Sequence, residues 1–145
     1  MIQLKETITV SAPIEAAFDY TAEFANTQDW DPGVVRAKKA SSAPAKVGTA
    51  FDLVTTFKGR ESEMTYTITT LDKPHRLVLA GEGDILSAVD SLEFSETATG
   101  TEIRYTADLT FKGLAKIGTL FVRKDLDQLG SDAVNGLKTA LDSKN

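Results

Sequence analysis

GTEIRYTADLTFKG at residues 100–113 runs directly into LAKIGTLFVRKDLDQLGSDAVNGLKTALD at 114–142, and the change of rhythm at that junction decides the fold. In the first stretch Ile103, Tyr105, Ala107, Leu109 and Phe111 alternate with polar residues, the period of a strand with one buried face. From Leu114 the period becomes 3.6. Leu114, Gly118, Phe121, Val122, Leu126, Leu129, Ala133, Leu137 and Ala140 form one stripe, with Lys116, Arg123, Lys124, Asp127, Ser131 and Lys138 opposite. A helix of about 28 residues is ~40 Å long. One apolar stripe of that length needs one broad apolar surface to lie on. Gly118 lies on the stripe and Gly136 at its edge, where a missing side chain leaves room. Gly130 falls nearer the flank, and the pattern gives it no role.

Upstream, the same alternation recurs. Residues 2–10 place Ile2, Leu4, Ile8 and Val10 on one face. Ser11-Ala12-Pro13-Ile14-Glu15 then predicts a helix start, with Ser11 as N-cap and Pro13 in the first turn. A second short helical piece is expected from Phe24 to about Asp29, stopped by Asp31-Pro32-Gly33. Val34–Ala40 reads as a weak strand and Thr49–Phe57 as a clear one, with Phe51, Leu53, Thr55 and Phe57 on one side. Lys58-Gly59 predicts a hairpin turn. Glu61–Leu71 places Met64, Tyr66 and Ile68 together, and Asp72-Lys73-Pro74 turns the chain. Arg76–Ala80 is an apolar strand whose inward face the pattern does not assign. Gly81-Glu-Gly83-Asp reads as a turn, after which Leu86, Ala88, Leu92 and Phe94 share a face with Asp90 among them. The order is strand, two short helices, six strands and a long helix, an antiparallel meander closed by its first strand.

Composition bounds the chemistry. The 145 residues suit one ordinary domain. The absence of cysteine excludes disulfides, thiolate nucleophiles and Cys-based metal sites. A net charge of −5 argues against a nucleic-acid partner, which wants a basic face. The charged, alternating N-terminus reads as no signal peptide. No apolar run approaches the ~18 residues of a membrane span, so a cytoplasmic location without stable membrane insertion is expected. With a single histidine, His75 in a turn, a histidine triad lacks its parts. No metal-ligand spacing or phosphate-loop pattern occurs either, so neither metal nor cofactor is expected.

The segment ITVSAPIEAAFDYTAEFANTQDWDPGVV at 8–35, Gly48-Thr49 before a strand, and residues 100–113 followed by the long helix together resemble the SRPBCC superfamily (START and Bet v 1-like). The closest likeness is to its polyketide cyclase/dehydrase and lipid-transport branch. The resemblance covers residues 1–145 as one domain. It implies an α+β helix-grip fold: a curved seven-stranded antiparallel sheet wrapped around a long C-terminal helix, with two short helices between the first two strands. It also implies a small hydrophobic ligand, such as a lipid, quinone or polyketide-like aromatic, held between sheet and helix.

Strand parity and that resemblance nominate Trp30, Phe51, Leu53, Met64, Tyr66, Ile68, Leu86, Asp90, Leu92, Tyr105, Phe121 and Leu129 as ligand-binding residues. Two carboxylates interrupt apolar faces, Glu6 and Asp90. A carboxylate there must be paired, hydrated or neutralised. Asp90, with Tyr66 and Tyr105, is the candidate polar patch and the candidate catalytic acid or base. Three readings follow: a binding or transport module, a cyclase- or dehydratase-type enzyme using Asp90 and the tyrosines for proton transfer, and a partner-binding module with a vestigial cavity. The third would engage another chain through the sheet edge or the helix start, where Lys112, Lys116, Arg123 and Lys124 cluster. The first needs least and is preferred.

Overall fold

The computed structural model of the chain describes residues 1–113 and 119–143, without the side chains of 119–122. The predicted Leu114, Lys116 and Gly118, and the side chains of Phe121 and Val122, lie outside the described residues. The strands are β1 (Ile2–Val10), β2 (Val34–Lys39), β3 (Ala50–Phe57), β4 (Arg60–Asp72), β5 (Arg76–Gly83), β6 (Leu86–Thr97) and β7 (Gly100–Phe111). Helix α1 (Ile14–Ala22), a single 3₁₀ turn (Phe24–Asn26) and helix α2 (Thr27–Trp30) separate β1 from β2, and helix α3 (Thr119–Asp142) closes the chain.

The sheet runs β1-β7-β6-β5-β4-β3-β2, every pair antiparallel. β2 to β7 are a meander, and β1 returns to pair with β7, Leu4 facing Ala107 and Ile8 facing Ile103. Lys58 and Gly59 both take positive φ (53° and 78°), which suits the two-residue hairpin between β3 and β4. Register shifts between Val34 and Arg36 and between Ile68 and Thr70 interrupt the ladders. Such bulges bend and twist a strand.

Three local expectations need correction. Ser11 is not the N-cap of α1. The helix begins at Ile14 with no side-chain cap, and the Ser11 backbone N–H donates instead to Asp142 Oδ1 at 2.9 Å, across the fold at the end of α3. That bond is the largest cause holding the Asp142 carboxyl below its usual range. Next, Gly81-Glu-Gly83 is not a turn. β5 continues through Gly83, and Gly81 pairs with Tyr66 and Ala88 in the ladders. The alternation that begins at Leu77 and Leu79 simply continues onto glycines. Last, Gly130 is buried, not on the flank: a Cβ there would lie 3.4 Å from Leu4 Cδ1.

One end of the sheet is packed solid. Phe18 of α1 meets Phe94 edge-on at 5.2 Å, with Leu77, Ile103, Leu137 and Leu141 fully buried beside them. Such density is that of an ordinary protein interior. Gly136 lets α3 approach the carbonyl of Trp30 so closely that a Cβ would collide with it. Arg123 Nη2 donates to the Gln3 carbonyl at 3.0 Å, and Lys138 Nζ donates to that of Thr9. Two cations of α3 thus engage carbonyls of the outermost strand β1.

Candidate functional site

At the opposite end, where the β3–β4 hairpin, the β5–β6 turn and the first half of α3 converge, the layers do not close. They enclose a cavity of about 290 Å³. Its floor comes from alternate inward positions: Leu4 of β1, Met64 and Tyr66 of β4, Leu86 and Asp90 of β6, Tyr105 and Leu109 of β7. Leu126, Leu129, Gly130 and Ala133 of α3 roof it. Small residues on its wall and roof, Ala107 of β7 with Gly130 and Ala133 of α3, help to leave the space, and glycines on β5 make room for the Tyr66 ring that borders it. On β5 the inward sequence from the solid end is Leu77, Leu79, Gly81, Gly83. The Tyr66 ring lies over Gly81, where a Cβ would come within 2.6 Å of Cε2.

Seven of the predicted binding residues border the cavity: Leu53, Met64, Tyr66, Leu86, Asp90, Tyr105 and Leu129. Four do not. Phe51, Ile68 and Leu92 face inward as parity requires, and Trp30 of α2 is buried with them, yet all four are consumed by the solid core. Phe121 has its side chain outside the described residues. Parity identifies the face of a strand, but not how far along it the packing stops. Trp30 packs at the core's end, its Nε1 buried with no acceptor among the described residues.

Asp90 is 6% exposed. Tyr105 donates its hydroxyl to Asp90 Oδ2 at 3.3 Å, while Oδ1 has no partner among the described residues. Burial pushes the Asp90 carboxyl up to about 7; the Tyr105 hydrogen bond opposes the rise, and the charges of Asp31 and Asp108 add to it. Tyr66 leans against Phe24 at 5.2 Å, and its hydroxyl donates to Met64 Sδ at 3.9 Å. Both phenols are raised, first by burial and then by the Asp90 charge.

The sequence reading missed Asp31. It treats the residue only as a helix stop, yet Asp31 borders the same cavity. Its Oδ1 accepts from the Gly33 N–H at 2.8 Å, folding the carboxyl back beside the end of α2. Loss of water raises it to about 6, against the pull of that N–H. The turn signal in Asp31-Pro32-Gly33 gave its backbone role, and nothing in the local pattern gave its position across from Asp90. Glu6, the other carboxylate singled out, sits opposite Tyr105 in the β1–β7 ladder but is half-buried and away from the cavity.

His75 is exposed, as its turn position suggested. Lys112 is paired with Glu82 at 2.8 Å and Arg123 with Asp127 at 3.2 Å, while Lys124 of the same cluster is exposed. Among the described residues no group of three metal-ligating side chains occurs, and no helix is long and apolar enough to cross a membrane.

Residues 1–142 match the profile of the polyketide cyclase/dehydrase and lipid transport family, and the chain belongs to that family. Solved structures share the fold at low identity. A protein of Thermus thermophilus superposes with a TM-score of 0.79 at 16% identity, covering 98% of this chain and 95% of its own. The Zhui aromatase/cyclase of Streptomyces sp. R1128 gives 0.80 at 12% identity, covering 97% and 93%. A START superfamily protein of Mycobacterium smegmatis gives 0.72 at 12%, covering 98% and 95%. The helix-grip architecture expected from the sequence is therefore established. A search of curated protein sequences returned no match.

Proposed function

We propose that the chain binds a small hydrophobic molecule in the cavity between the sheet and α3, with the Asp31, Asp90, Tyr66 and Tyr105 cluster as its polar anchor. The observation that carries this reading is the coincidence of an apolar-walled hollow with one cluster of buried polar groups on its wall. Ligand sites of this kind hold roughly 300–1,000 Å³, so the space suits a compact ligand such as a bicyclic or a short chain. Membership of a family described by polyketide cyclisation and lipid transport is consistent with such a guest. The vestigial-cavity reading has no comparable support, since the interior between sheet and helix is hollow.

The test is direct. Nile red should bind the folded protein with a blue-shifted emission, and native mass spectrometry of freshly purified material should show a co-purifying mass. Leu86→Trp, which puts an indole into the hollow, should remove both signals and leave the fold intact. If the unaltered protein binds no probe and carries no guest, or if Leu86→Trp binds as well as the parent, the reading is wrong.

A second reading, a cyclase- or dehydratase-type enzyme, is favoured by one feature. A carboxyl at about 7, hydrogen-bonded to a phenol, exchanges protons readily at neutral pH. Asp90→Asn separates the two, because it retains Nile red binding in a carrier and abolishes turnover in an enzyme.

A further inference from the structure

The polar groups on the cavity wall are unbalanced. Asp31 and Asp90 both border it, and each accepts a single hydrogen bond, from the Gly33 N–H and the Tyr105 hydroxyl respectively. That leaves two carboxyl oxygens, Asp31 Oδ2 and Asp90 Oδ1, without a donor among the described residues. The cation on the wall, Arg60 in the β3–β4 hairpin, is exposed and forms an ion pair with neither acid. The hydroxyls of Thr55 and Ser62 on the wall are spent on each other. Nine-tenths-buried Asp90 thus presents a free acceptor to an apolar hollow, with a second acid near enough to influence it.

We infer that the ligand is a hydrophobic amine, its ammonium group seated between Asp31 and Asp90 and its apolar body against Leu86, Leu109 and Leu129. This inference rests on the reading of the cavity as a ligand site and narrows it to a chemical class. An ammonium carries three donors and no acceptor, which matches the surplus of acceptors. A carboxylate guest would bring a third negative charge into low dielectric, where like charges repel strongly. A neutral alcohol offers one donor and leaves the charge uncompensated. The raised acids fit the same picture: each is held partly protonated for want of a cation, and an arriving ammonium would displace a proton to solvent. The groups that bear on Asp90 are Tyr105, Asp108, Tyr66 and Asp31, with Arg60 further along the wall. Tighter amine binding is therefore expected as pH rises through about 6 to about 7.

Three probes of matched shape decide the matter: naphthylethylamine, naphthylethanol and naphthylacetate, each titrated by calorimetry. The amine should bind at least about tenfold tighter than the alcohol, and the acetate weakest, since close buried charge pairs couple by more than tenfold. Asp90→Asn should bring amine and alcohol to within about threefold of each other. Asp31→Asn serves the same end if Asp90→Asn does not fold. Equal binding of amine and alcohol, or strongest binding of the acetate, overturns the amine assignment while leaving the cavity reading standing. Failure of all three, with Nile red also unbound, overturns both.

Discussion

The two ends of the sheet are made from the same strands and differ in what those strands carry inward. At the α1 end β6 supplies Leu92 and Phe94, β5 supplies Leu77 and Leu79, β7 supplies Ile103, and α3 supplies Leu137 and Leu141, all essentially buried. Toward the other end the same elements supply Ala88, Gly81 and Gly83, Ala107, and Gly130 and Ala133. Asp90 sits on β6 where one regime gives way to the other. The solid end supplies the packing that holds sheet and helix together, and the hollow end leaves room between them. A carboxyl without a counter-charge is tolerated only because the packing beside it is fixed.

The contrast is broken most forcefully by truncation. Phe94→Ala removes a ring clamped by Phe18 and should cost about 3–5 kcal/mol. Leu129→Ala, at the cavity roof, should cost well under half of that in urea denaturation, because its side chain already borders space. Equal losses would mean that the hollow is filled in solution.

Next in size is a pH effect. Asp90 is held at about 7 in the fold against an ordinary 3.8, so the folded state binds its proton more tightly than the unfolded state does. Its contribution is most favourable below 3.8 and is lost as pH rises to about 7, at about 1.4 kcal/mol per unit at most. Asp31 adds in the same direction up to about 6. Asp90→Asn should therefore flatten the fall in urea midpoint from acid to neutral pH, and should be relatively more stable than the parent at the alkaline end. Parallel pH profiles for parent and variant would remove Asp90 from the buried, unpaired class.

Smallest is Gly81→Ala. The new Cβ would meet the Tyr66 ring, and a ring beside open space can swing aside, so about 1–2 kcal/mol is expected. Nile red affinity should fall more than stability does, because the displaced phenol enters the cavity. A crystal structure with Tyr66 unmoved would refute the proposed seat.

Periodicity made the architecture legible. The switch from period two at Phe111 to 3.6 downstream, and the alternations in β1, β3, β4 and β6, sufficed for seven strands and one long helix. Faces were legible for the same reason, which is why Asp90, Tyr66 and Tyr105 emerged together. Depth was not, because whether an inward residue meets another residue or empty space depends on its neighbours across the ladder, as Leu92 and Leu86 illustrate on one strand. Gly81 and Gly83 were misread because two glycines beside acidic residues carry a local turn signal, whereas the ladder beside β4 and β6 outweighs it. Asp31 escaped because its significance is long-range: only the folded chain brings a loop acid to face the interior of β6.

The grip of Arg123 and Lys138 on β1 reaches beyond helix placement. β1 and β2 are the margins of an open sheet, where unpaired backbone invites strand-to-strand aggregation. At one margin the carbonyls of Gln3 and Thr9 are already engaged by cations, and at the other Arg36 and Lys38 stand exposed on a short strand. A foreign strand approaching either side meets an occupied or positively charged selvedge, which disfavours edge-to-edge pairing without closing the sheet into a barrel.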